Sequence, residues 1–193
     1  MKKIHLSKYI VVLALSMLMS CGQFGLIQIV GYYNDFESLD QDQKQRVRDL
    51  DGFDNLEQGL VYKINPLQLK AELANHPRSL VYVYSVGCDS SVCKPLAFYE
   101  RYAEQKGYDV FFVMRSYYSM PKSLEQQSVH PLFVIDDSFY HERRRFVYER
   151  YFVNDMLGIK TETKYKDVPI DLQGSFLFFE RDKLVKVANK LEL

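Results

Sequence analysis

Cys88 and Cys93 close an apolar run, separated by four residues within the stretch SLVYVYSVGCDSSVCKPLAFY that covers positions 79–99. A thiolate, not a thiol, attacks disulfides and peroxides, and the first turn of a helix favours that anion through its unpaired N–H groups and positive dipole end. The residues after the run read as such a turn. Ser90 or Ser91 suits an N-cap, and Ser91 suits it better because Pro95 then falls in the first turn, where a missing N–H costs least. Three chemistries are open to this pair. In the first, Cys88, nearer the strand end, is the attacking thiol, Cys93 resolves the mixed disulfide, and Lys94 steadies the thiolate charge. In the second the two form a structural disulfide that closes a short loop. In the third they are free thiols or metal ligands. Geometry narrows where they can stand. Residues five apart in one regular helix differ by about 140° around the axis and about 7.5 Å along it. A disulfide prefers Cα atoms within about 7 Å and converging Cβ vectors. Cys88 is therefore expected in the loop before the helix, unless the first turn opens when a bond forms.

Other residue types offer less. His76, His130 and His141 are scattered without the ligand spacing of a zinc site, so no metal centre is expected. His130-Pro131 reads as a turn ahead of a strand. Arg143-Arg144-Arg145 reads as a solvated helix face neutralised by Glu142, Glu149, Asp136 and Asp137. Tyr140, Tyr148 and Tyr151 suit a core or interface stripe, and Asp136-Asp137 a turn that ends a strand. There is no Gly-rich phosphate loop and no nucleophile elbow, and no cofactor is expected.

The elements that must position the cysteines follow from pattern. Leu80–Val86 is a continuous apolar and aromatic run, the mark of a strand buried on both faces. Val92–Lys106 predicts a helix whose Leu96, Tyr99 and Ala103 share a face, with Gly107 as its stop. Asp109–Met114 predicts a second buried strand, so the three form a βαβ unit with parallel pairing. Upstream, residues 22–37 suggest a tether that becomes a short edge strand, and Ser38–Gly52 a short exposed helix. Leu60–Ile64 reads as a strand, and Pro66 opens a helix to about Asn75 with Leu67, Leu69, Ala71, Leu73 and Ala74 on its apolar side. Downstream, Leu132–Ile135 reads as a short strand and Ser138–Leu157 as one long helix closed by Gly158. Phe139, Phe146, Tyr148, Val153 and Leu157 are its expected inner residues. Thr161–Asp167 reads as a loop. Ser175–Glu180 and Lys183–Val187 predict a hairpin through Arg181-Asp182, followed by a helical stub.

A chain of 193 residues can bury one substantial core, and 47% apolar with 15% aromatic residues argues against wholesale disorder. Its first 21 residues, MKKIHLSKYIVVLALSMLMSC, have the basic start and short apolar run of a secretory leader. Leu18-Met19-Ser20-Cys21 resembles the lipobox of bacterial lipoproteins, which implies cleavage after residue 20 and lipidation of Cys21. Gly22 resembles the residue that follows the cysteine in outer-membrane lipoproteins, which implies a lipid-anchored protein of the cell envelope facing the periplasm. Removing Lys2, Lys3 and Lys8 with the leader leaves 22 basic against 25 acidic side chains, no footprint for nucleic acid. Outside the reducing cytosol a disulfide can persist.

The element order across residues 60–193 resembles the thioredoxin-like superfamily. VYVYSVGC followed by CKPL is similar to that family's strand running into its active-site cysteines, and SFLFFERDKLVKV to its closing hairpin. The resemblance implies a three-layer α/β fold, a central mixed sheet flanked by helices, with an extra helical insertion before the hairpin. Residues 1–20 are then leader, 21–59 a tether with a helical extension, and 60–193 the domain. It also implies thiol–disulfide exchange on exported or envelope proteins. The family's two cysteines are separated by two residues, and its cis-proline before the hairpin corresponds here to Gly174. The four-residue separation is closer to one peroxiredoxin subgroup, where Ser85 would match a Thr or Ser but Val81 stands in place of a proline. A catalyst, a binding module with a structural disulfide and a thiol peroxidase all remain open.

Overall fold

In the computed structural model, residues 36–86 and 94–192 are described. The readings that fall on Cys21, Cys88, Cys93, Ser90 and Ser91, and on residues 1–35, lie outside them. The core is a mixed sheet of seven strands: β1 (Val47–Asp49), β2 (Val61–Ile64), β3 (Ser79–Tyr84), β4 (Asp109–Met114), β5 (Leu132–Ile135), β6 (Phe176–Glu180) and β7 (Lys183–Ala188). Their spatial order is β1-β2-β5-β4-β3-β6-β7. Every pairing from β1 to β3 is parallel, and β6 and β7 close the sheet as an antiparallel hairpin on β3. Among the described residues five α-helices accompany them: α1 (Gln41–Gln45), α2 (Pro66–Leu73), α3 (Leu96–Lys106), α4 (Met120–Glu125) and α5 (Arg145–Leu157).

Alternation along the strands builds two cores. Val81 and Val83 of β3, Phe111 and Val113 of β4 and Phe133 of β5 pack on one face under α2 and α5. Leu80, Tyr84, Val110, Phe112 and Val134 pack on the other under α3, Tyr117 and Met120 of α4. Strands that carry apolar residues on both faces must be covered twice, which is why the layers are helix, sheet, helix. Phe112, Phe133, Phe152 and Phe179 are almost wholly enclosed, and burial of each contributes roughly 1.5–3 kcal/mol.

The helices obey local rules. Asn65 caps α2, accepting from the N–H groups of Leu67 and Gln68 while Gln68 returns a bond to Asn65 N–H, and Pro66 occupies the first position. The inner face of α2 is Pro66, Leu69 and Leu73, whereas Leu67 is exposed, because residues 67 and 69 are 200° apart on a helix rather than together. Leu96, Tyr99 and Ala103 are the buried stripe of α3, and Gly107 ends it at φ 68°, a left-handed conformation that costs a β-carbon and suits glycine.

Four expectations change. Residues 38–52 are not one helix: α1 ends at Gln45 and β1 follows, pairing parallel with β2, while Leu39 and Leu50 are buried. The helix after the cysteines begins at Leu96 with Pro95 at its N-cap position, so Ser91 does not cap it. Residues 138–157 split into a 3-10 turn at Asp137–Tyr140 and α5, since His141 adopts a left-handed φ of 51°; Phe139 and Phe146 are exposed, and Tyr148, Phe152, Met156 and Leu157 face inward. No helix forms over 189–192. Asp136, by contrast, ends β5 as expected, its carboxylate accepting from Ser138 N–H.

His76 joins two layers of this framework. Its Nε2 contacts Glu72 at 2.8 Å and its Nδ1 contacts Asp109 at the start of β4 at 2.8 Å, with the ring edge-on to Phe111. Partial burial alone would lower its pKa, but hydrogen bonds to Glu72 and then Asp109 outweigh that and raise it above 6.5. The contribution of protonated His76 is complete below the unfolded pKa of about 6.5 and fades as pH climbs through the higher folded value. The melting-temperature deficit of His76→Gln relative to the parent, followed by circular dichroism, is expected to be larger at about pH 5.5 than at about pH 9.

Candidate functional site

β3 and the start of α3 frame the cysteine-bearing segment, and both frames are tied to the same short stretch. The Val86 N–H donates to Ser119 Oγ at 2.9 Å. The Leu96 N–H, the first donor of α3, donates to Gln126 Oε1 at 2.6 Å. Ser119 and Gln126 flank α4, so one helix holds both ends of the connection. Behind it, Tyr84 donates its hydroxyl to Ser123 Oγ at 3.1 Å and Ser123 donates to the Ser119 carbonyl at 2.8 Å. Burial pushes the Tyr84 phenol well above its ordinary range, so Tyr84 is a neutral strut. Tyr82 beside it stacks on Phe176 at 4.4 Å and packs against Tyr99 of α3 at 4.5 Å, which ties β3, the hairpin and α3 into one aromatic block.

Seven residues span the gap between Val86 and Lys94, and they include both cysteines. Both precede Leu96, where α3 begins. Lys94 and Pro95 are exposed at this end of α3, and Pro95 at the N-cap position supplies no side-chain cap of its own.

On the opposite face, Arg115 extends from the carboxyl end of β4. Its backbone N–H donates to Tyr84 O at 2.9 Å, and its carbonyl accepts from the Tyr148 hydroxyl at 2.8 Å. Its guanidinium is ion-paired to Glu149 of α5 and donates to Ser175 Oγ at 3.0 Å. Burial pulls the Arg115 pKa down, yet a guanidinium stays protonated across the working range of proteins. Arg115 thereby fastens α5 and the residue before β6 to the ends of β3 and β4.

Ser175 and Gly174 complete this edge. Ser175 N–H donates to Ala188 O at 3.1 Å and Ser175 O accepts from Val83 N–H at 2.9 Å. A β-carbon on Gly174 would come within 2.8 Å of Val187 Cγ1 and press harder still on the Ala188 carbonyl. The position admits no side chain, a proline ring included. Between Ser85, Arg115, Ser175 and α5 lies a cavity of about 680 Å³. It opens where ligands of α/β sheets gather, at the carboxyl ends of parallel strands.

The remaining candidates disperse. His130 and His141 join no cluster, and no group of three metal-ligating side chains forms among the described residues. The arginine run does not act as one neutralised face: Arg144 pairs with Glu142 at 2.6 Å, and its hydrogen bonds hold the Glu142 pKa to about 2, while Glu149 is engaged by Arg115 and Arg145 lines the cavity. Tyr148 is core, and Tyr140 donates to Asp155 at 2.7 Å. Arg115, Ser119 and Gln126 carried no motif. The one available signal was the charge of Arg115 immediately after the apolar run VFFVM.

Comparison with protein-family models, with curated proteins and with solved structures found no match to this chain.

Removing one partner of the Arg115–Glu149 pair strands the other in a mostly buried site. Arg115→Met is expected to lower unfolding free energy by about 2–4 kcal/mol, and Arg115→Met combined with Glu149→Leu to recover more than half of that loss, as read from urea denaturation.

Proposed function

We propose that this chain is a lipid-anchored envelope protein of thioredoxin-like architecture that exchanges disulfides with exported proteins through Cys88 and Cys93. The observation that carries the reading is the pinned β3–α3 connection: a two-sided buried strand and a helix start, both tied to α4, bracket seven residues that hold both cysteines. The parallel β3–α3–β4 unit and the antiparallel β6–β7 hairpin on β3 agree with that architecture, and β5, placed between β2 and β4, is an addition to it. A fold likeness does not by itself supply a reaction, so the weight falls on the cysteines.

In the proposed cycle the Cys88 thiolate attacks one sulfur of a substrate disulfide and expels the other as a thiolate, forming a mixed disulfide. Cys93, deprotonated, then attacks Cys88 Sγ, releases the second substrate thiol and leaves a Cys88–Cys93 disulfide. A dithiol donor reduces that bond and restores the two thiols. The positive dipole end of α3 and the Lys94 ammonium favour the anionic forms. Cys21, acylated at the mature N-terminus, would hold the domain at a membrane; no helix among the described residues is long and apolar enough to cross one.

One observation favours a second reading. Gly174 stands where the thioredoxin-like family places its proline against the disulfide, and its crowding by Val187 and Ala188 leaves no room for that ring. A binding module in which Cys88–Cys93 is only a staple accounts for this equally. A peroxidase, the third possibility, would form a sulfenic acid at Cys88 with hydrogen peroxide.

The full-length chain, supplied with dithiothreitol, is expected to precipitate insulin by reducing its disulfides, and Cys88→Ser to fall to background. Absence of turnover above background in the parent chain overturns the exchange activity. A Cys88–Cys93 potential below about −300 mV would assign the bond to the structural class.

A further inference from the structure

The cavity beside Ser85 has a chemical bias that thiol exchange does not require. Among the described residues Arg115, Arg145 and Arg150 line it against a single carboxylate, Glu149, and that carboxylate is committed to Arg115. Arg145 and Arg150, from successive turns of α5, form no ion pair among the described residues, and the Nε–H of each is buried without an acceptor. A buried donor left unsatisfied is costly, and it leaves each guanidinium with its terminal N–H groups to offer an oxyanion. The guanidinium fork matches the oxygens of a carboxylate or phosphate better than any other side chain does.

Part of the remaining wall is apolar, with Asn154, Gln173 and Asn189 adding amides. Val153 and Leu157 of α5, together with Val168 and Leu172 from the segment that leads to β6, line the same space. Phe146 lies at the rim with the Arg145 guanidinium 4.5 Å over its ring, which holds that cation in place and leaves most of the ring exposed. A volume of about 680 Å³ is in the range of small-molecule sites, which combine apolar walls with a few placed polar groups. An inorganic ion would leave these walls wet, and a neutral hydrophobe would leave the guanidinium donors unmet.

We propose that this cavity binds an amphipathic small-molecule anion, with a carboxylate or phosphate head held by Arg145 and Arg150 and an apolar body against Val153, Leu157, Val168 and Leu172. Arg115 contributes fixed positive charge while remaining paired with Glu149. The site is independent of the thiol reading, since none of its groups is a cysteine.

Isothermal titration of the full-length chain in neutral detergent tests this with 4-phenylbutyrate, phenyl phosphate, inorganic phosphate and 4-phenylbutan-1-ol. The expected result is binding of one or both aromatic anions at least about tenfold tighter than the alcohol or inorganic phosphate. The two anions separate carboxylate from phosphate preference. Arg145→Gln and Arg150→Gln should each weaken the preferred anion about tenfold. Arg143→Gln, an exposed neighbour outside the cavity, and Cys88→Ser should leave it unchanged. Equal affinity for the alcohol, no binding of either aromatic anion, or a loss in Arg143→Gln as large as in Arg145→Gln overturns the site. The comparison of anion with alcohol needs no variant, so a substitution that fails to fold does not rescue the idea.

Discussion

The constraint on which the rest depends is that β3 is enclosed on every side. It is hydrogen-bonded to β4 along one edge and to β6 along the other, and its residues alternate between two fully formed cores. A strand in that position has no solvent face, so helices must cover both sides of the sheet. Its carboxyl end is the first point at which the chain can reach solvent: Tyr84 is buried, Ser85 exposed. The residues that follow therefore leave the sheet from a rigid support.

The two faces of the sheet treat that exit differently. On the α3 side a neutral network of Tyr84, Ser123, Ser119 and Gln126 fixes the backbone on either side of the connection. On the α5 side the fixing is ionic, through Arg115, Glu149 and Ser175, and the arginines left over line a cavity. Hydrogen bonds between neutral groups cost little to bury once satisfied, whereas a buried ion pair must offset a large desolvation cost. Electrostatic tension is consequently concentrated on the side where a charged ligand could relieve it.

The elements with strong period or strong punctuation were legible in the chain. β3 and β4 announce themselves as unbroken apolar runs, α3 by Leu96, Tyr99 and Ala103 with Gly107 behind them, and the hairpin by its two strands about Arg181-Asp182. Short elements were not. β1 is three residues, VRD, whose strand character comes from pairing with β2 rather than from its own side chains. The break before α5 hinges on His141 adopting a positive φ, which composition does not signal. The cation-rich cavity was equally hidden, because Glu149 looks in sequence like a partner for the arginine run and is claimed in space by Arg115, 34 positions away.

By itself the sequence determined the cysteine spacing and the two-sided burial of the central strands, since each of these is carried by residue type and local order. Only the tertiary structure decided that α4 clamps both ends of the connection, that Gly174 has no space for a side chain, and that Arg145 and Arg150 line a cavity without an ion pair among the described residues. Those outcomes depend on which distant groups meet across the sheet. Partnership over tens of residues is set by packing, and periodicity records only the face a residue turns toward it.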